Sequence, residues 1–193
     1  MAAGLKRRAA AALRIPVIAA SFTIAASIVL AACGAGAPNV VPVTFPPQSF
    51  GPSGASSGAA ASTRAVIVQA LGVKRLQLRD AQVAVRPPES PRIAAAPRLV
   101  VQAILPNDPT HGFISIYEFP DDSAATDAGR EEASYIASGP GRVQFTADAR
   151  FVIRQLGPTI VFYTWSPGST SDANNADIQQ ALETVGIAIV VPS

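Results

Sequence analysis

Few side chains in this 193-residue sequence have chemistry beyond packing. There is one cysteine, Cys33, and one histidine, His111. A single thiol excludes an intrachain disulfide, and a single imidazole excludes multi-histidine metal sites. His111 follows Pro106-Asn107-Asp108-Pro109-Thr110, a turn in which a solvated polar side chain is expected. A general base there lacks an evident serine or cysteine to activate. Five carboxylates, Asp121, Asp122, Asp127, Glu131 and Glu132, fall along one predicted helix. Paired carboxylates hydrolyse glycosides and clustered ones hold hard cations. An EF-hand loop starting at Asp121 would need glycine where Thr126 stands, and acids at a helix N-terminus or on its wet face are explained by the helix dipole. Gly54-Ala55-Ser56-Ser57-Gly58 matches the spacing of a nucleophile elbow, but low-complexity sequence precedes it where a strand is required, so Ser56 is not a candidate. No phosphate-binding glycine motif is present. No catalytic residue, metal site or cofactor is therefore expected, and the ligand-binding residues are left open.

The surroundings of Cys33 are more specific. Met1 to Arg14 carries Lys6, Arg7, Arg8 and Arg14 and no acid, and Ile15 to Ala32 then runs 18 residues without a charge. A basic stretch followed by an apolar one is the build of an export signal, its cations held on the cytoplasmic side. The run ends Leu30-Ala31-Ala32-Cys33-Gly34, which resembles a bacterial lipobox with Leu at −3, small residues at −2 and −1, and Cys at +1. The resemblance implies cleavage before Cys33, a diacylglycerol thioether and palmitate on that residue, and a mature protein anchored to membrane lipid on the extracytoplasmic side. An uncleaved membrane helix is the alternative, but 18 residues is short for a span. The charge balance changes with the signal. Of 15 basic and 13 acidic residues, four basic ones leave with residues 1–32, so a formal +2 becomes −2. No basic stripe is left to suggest nucleic acid.

Behind the cysteine, residues 33–63 read as a tether: Gly34 to Thr63 is uncharged and rich in Gly, Pro, Ser and Ala. Residues 64–193 read as a single domain, large enough for one core. Ala65 to Leu71 fits helix or strand, with Gly72 as its cap. Leu76 to Val85 reads as extended. Arg98–Leu105 and Gly112–Phe119 are strand candidates joined by the turn that holds His111. Asp121 or Asp122 should cap a helix through Ile136, closed by Gly139-Pro140-Gly141. A second hairpin joins Phe151–Gln155 to Ile160–Trp165. Ser171 or Asp172 should cap a last helix whose Ile178, Ala181, Leu182 and Val185 share one face. Ile187 to Val191 follows. The expected fold class is α+β: an antiparallel sheet of four to five strands built from two hairpins, with two to three helices mainly on one face. On the open face, Tyr117, Tyr163 and Trp165 would form an apolar or glycan-binding platform.

Leu71 to Gly186 also resembles a family of uncharacterised bacterial lipoproteins. The matching pieces are Ala70-Leu71-Gly72, Ile116-Tyr117-Glu118-Phe119 before an Ala-rich helix, Phe151 with Gly157 and Ile160-Val161-Phe162-Tyr163, and Leu182-Glu183-Thr184-Val185-Gly186. Members carry signal, lipobox, tether and a small α+β domain; the usual Trp before the second hairpin is missing here. The resemblance implies fold and localisation and transfers no site residues. The expectation is a membrane-anchored extracytoplasmic lipoprotein with a non-catalytic binding or structural domain of the cell envelope. Its partner would be an envelope protein or a glycan; the alternative is a carboxylate-dependent envelope hydrolase.

Overall fold

A computed structural model of the chain describes residues 57–192; the expected signal peptide with its expected cleavage motif Leu30-Ala31-Ala32, Cys33, and the expected tether as far as residue 56 lie outside the described residues. The first element is a helix, α1 (Gly58–Val73), which begins six residues before the expected domain boundary at 64. Ser57 caps it by accepting from the Ala60 amide, and three alanines follow Gly58. Alanine is the best helix former, so a stretch that resembles linker by composition is helical by propensity. Gly72 lies inside the helix and is not its cap. The turn out of α1 is a Schellman motif: the Leu76 amide bonds Leu71 O, the Arg75 amide bonds Gly72 O, and Arg75 takes the left-handed conformation.

The extended stretch after α1 yields one short strand, β1 (Leu78–Asp80), and Pro91 opens a short helix, α2 (Pro91–Ala95). The two expected hairpins are present. They are β2 (Arg98–Ala103) with β3 (Phe113–Glu118), and β4 (Arg150–Leu156) with β5 (Thr159–Trp165). Gly157, at φ 55°, makes the tight turn of the second hairpin. Between the hairpins run α3 (Asp122–Ala137), capped by Asp121, and a single turn, α4 (Gly139–Arg142), where only a stop was expected. α5 (Asn174–Glu183) and β6 (Ile187–Ala188) complete the chain; the Asp172 carboxylate accepts from the Asn174 amide at 2.9 Å at the start of α5.

The protein is α+β, with an open antiparallel sheet in the order β1-β2-β3-β5-β4-β6 and five helices among the described residues. Six strands form it, one more than the upper expectation. The central pair is β3 and β5, with Ile116 opposite Val161 and Tyr117 opposite Ile160. The helices do not favour one face. α1 and α5 cover one side, where Ile67, Leu71, Ile178 and Leu182 meet Ile114, Ile116, Val161 and Tyr163. α2 and α3 cover the other, where Ile93, Ala125, Ala128 and Ile136 meet Tyr117, Ile153, Ile160 and Phe162. This is why Ile160 to Tyr163 is apolar at every position: a central strand covered on both sides has no wet face.

Candidate functional site

Double coverage removes the aromatic platform. Tyr117 and Tyr163 are buried on opposite sides of the sheet, and the half-buried Trp165 donates its indole N–H to Gln179 at 2.8 Å. Burial pushes both tyrosine pKa values up, so each phenol stays neutral and donates a hydrogen bond.

His111 sits at the end of the sheet where the β2–β3 and β5–α5 loops meet. Its Nδ1 lies 2.5 Å from Oδ1 of Asp108, a carboxylate only 5% exposed. Thr110 Oγ1 also donates to Oδ1 at 3.2 Å, and the Ser171 amide donates to Oδ2 at 3.2 Å. Burial by itself raises the Asp108 pKa, but these donors and the imidazole outweigh it and hold it below the ordinary carboxylate range. The two loops are laced further by Ser171 Oγ donating to Asn107 O at 2.8 Å and by the Asn107 amide donating to Asp172 at 3.3 Å. Asn175 joins them to the core by accepting from Tyr163 at 2.9 Å. Nearby, Asp148 receives Ser166 Oγ at 2.5 Å and the Gly168 amide at 2.6 Å, which hold its pKa at about 2.

An aspartate behind Nδ1 is how hydrolytic triads orient an imidazole. Here the hydroxyls that approach are engaged elsewhere: Thr110 sits on the Nδ1 side and Ser171 donates to a backbone carbonyl. The Asp108–His111 pair therefore clasps two loops. The i,i+3 spacing of the two residues was visible in the sequence, but the burial of Asp108 was not.

The five carboxylates expected on one helix separate. Asp121 caps α3 by accepting from the Ala124 amide at 2.8 Å. Asp122 is exposed. Asp127 and Glu131 face Arg92 at 3.9 and 3.1 Å. Glu132 is fully buried. No group of three His, Cys, Asp or Glu side chains suited to a metal occurs among the described residues.

Glu132 does meet a second buried acid, Glu89, which sequence reasoning missed because it lies in a proline-flanked loop. The Glu89 side chain is 2% exposed and ion-paired with Arg86 at 2.7 Å and Arg98 at 3.0 Å; it also accepts from Tyr117. Glu132 Oε2 accepts from the Ser90 amide at 2.7 Å, while its Oε1 and the hydroxyl of the fully buried Ser90 have no partner. Burial raises the Glu132 pKa, and the charges of Glu89 and Glu131 add to this. The pair fastens the segment before α2 onto α3 and β3 and is closed to substrate.

A cleft of about 400 Å³ lies along β4. It is lined by residues 149–154, by Gln179 and Glu183 of α5, and by residues 188–191. Arg154 is already committed, donating to Val185 O at 2.6 Å and Gly186 O at 2.9 Å.

Comparisons with protein-family models, curated proteins and solved structures yield no match. None of the helices among the described residues is long and apolar enough to cross a membrane.

Proposed function

We propose that this chain is an exported lipoprotein, held to the outer side of the cell membrane by lipid on Cys33, whose α+β domain works by binding or assembly and not by catalysis. One observation carries the reading: the only cysteine stands directly after Leu30-Ala31-Ala32, where an uncharged run of 18 residues ends. Two acyl chains are enough for stable anchoring, since each buried methylene contributes about 0.8 kcal/mol. The resemblance to the lipoprotein family supports the same reading.

The non-catalytic half of the proposal is supported by how the reactive side chains are engaged. Asp108 and His111 clasp loops, Asp121 caps a helix, and Glu89 and Glu132 fasten a buried segment. With both sheet faces covered, the partner is met by the cleft beside β4 or by an outer helix face. Metabolic labelling with palmitate tests the anchor. Wild-type protein is expected to carry label and partition with membranes, and Cys33→Ser is expected to lose both. Equal labelling of the two forms would refute it.

A further inference from the structure

A surface helix of a water-soluble domain normally carries charge on its outer side. α3 conforms: Asp122, Asp127 and Arg130 are exposed. α1 buries a narrow stripe, Ala60, Thr63, Ile67 and Leu71. Its outer side presents Ala61, Ser62, Ala65, Val66, Val68, Gln69 and Val73, and Arg64, which pairs with Asp80, is the one charged residue of the helix. Val68 is 42% exposed and Val73 84%. This apolar face is left without a neighbour among the described residues.

Charge shows what could cover it. From residue 58 to 79 the chain has four basic residues and no acid; from 80 onward it has seven basic and thirteen acidic residues. Arg64 makes an exposed pair with Asp80 and Lys74 a partly exposed one with Asp177, and pairs open to water bind weakly. Arg75, exposed where α1 ends, has no ion pair among the described residues. An apolar face rimmed by cations, on a body with an excess of acid, is complementary to an anionic lipid surface. Position argues the same way. Ser57, the cap of the helix, lies only 24 residues beyond Cys33, a length that reaches at most about 80 Å. A short link of this kind makes docking intramolecular and holds the face at high effective concentration near the bilayer.

We propose that the outer face of α1 is a membrane-docking surface that lies on the anionic headgroup layer of the bilayer in which the Cys33 lipid is inserted. The proposal rests on the lipoprotein reading. Docking turns α3, on the opposite side of the sheet, and its acids toward the periphery.

The test uses the lipidated mature protein in vesicles of phosphatidylethanolamine with one quarter phosphatidylglycerol. With Cys33 acylated, a cysteine added as Val68→Cys or, on α3, as Ser134→Cys is the sole free thiol and takes a polarity-sensitive fluorophore. Both sites are exposed, and an unchanged thermal transition checks the fold. Quenching by spin-labelled lipid is expected to be at least twofold stronger at position 68 than at 134. It should weaken when phosphatidylglycerol is omitted or salt is raised. Equal, weak quenching at both positions in membrane-bound protein overturns the docking face and leaves the anchor standing. Protein that stays in the soluble fraction overturns both. A change at position 68 that depends on protein concentration in detergent, without vesicles, assigns the face to a second copy of the chain and overturns the membrane proposal.

Discussion

Two buried carboxylates on either end of this domain have been treated in opposite ways. Asp108, in the β2–β3 loop, has a donor on each oxygen: His111 and Thr110 on one, the Ser171 amide on the other. Glu132, in the middle of α3, has the Ser90 amide on one oxygen and nothing on the other. Their pKa values move in opposite directions for this reason, down for Asp108 and up for Glu132. Burial penalises both ions. What differs is the supply of hydrogen-bond donors, together with the neighbouring charges, His111 beside Asp108 and Glu89 and Glu131 near Glu132, and these decide whether a buried charge holds the fold together or strains it.

The largest effect should come from removing the well-served charge. Asp108→Asn places an amide N–H against donors that need an acceptor, and is expected to cost about 2–3 kcal/mol at pH 7. The sign of the pH dependence follows from the lowered pKa. Stabilisation by Asp108 is complete above the ordinary aspartate value of about 3.9 and is lost as pH falls through its lower folded value. The deficit of the variant in urea unfolding should therefore shrink below about pH 4. A deficit that persists undiminished at pH 2 would mean that packing, and not charge, is what Asp108 supplies.

How much of this contrast was legible in the sequence depends on the region. The four long strands, both hairpins, α3 and α5 follow from β-branched runs, turn residues and spacing, and they lie within two residues of expectation. α1 was half legible, because a helix apolar on nearly every side has no periodicity to read and its first turn, Gly58 to Ala61, has the composition of a linker. Coverage of both sheet faces was signalled by the unbroken run Ile160-Val161-Phe162-Tyr163, which a strand with one wet face would not show. The site residues were the least legible. Asp108 and His111 are near neighbours in sequence, but what buries Asp108 is Ser171 and its loop, 63 residues on. Glu132 reads as one more acid of a wet helix, and only the docking of Ser90 and α2 removes it from water.

The second prediction reverses the sign of the first. Glu132→Gln keeps the acceptor for the Ser90 amide and removes a buried charge that lies near Glu89 and Glu131, so it is expected to stabilise the protein by about 1–2 kcal/mol at pH 8. With a raised folded pKa, wild-type stability falls as pH climbs from the ordinary glutamate value of about 4.3 toward the folded one. The gain of the variant should thus grow over that interval and vanish near pH 4. Urea melts at four or five pH values decide it. If Glu132→Gln destabilises at pH 8, the carboxylate has a partner that the geometry does not account for, and the contrast with Asp108 fails.

Ser90→Ala gives the smallest effect and the sharpest test. Serine ahead of a helix normally caps it, and its loss costs about 1 kcal/mol. Ser90 stands in that position before α2 but makes no side-chain cap bond, and its buried hydroxyl has no partner. Alanine should therefore be neutral or stabilising by up to about 0.5 kcal/mol, against the usual sign for a cap position. The double-mutant cycle carries the argument further. With no bond between the Ser90 hydroxyl and the side chain at position 132, Ser90→Ala should have the same small effect in the Glu132→Gln background, within about 0.5 kcal/mol. A coupling of about 1 kcal/mol would show instead that the hydroxyl donates to the Glu132 carboxylate, and the contrast with Asp108 would fail. Additive effects leave the demand of Glu132 unmet by the Ser90 hydroxyl, with Glu89 and its two arginines as the remaining neighbours.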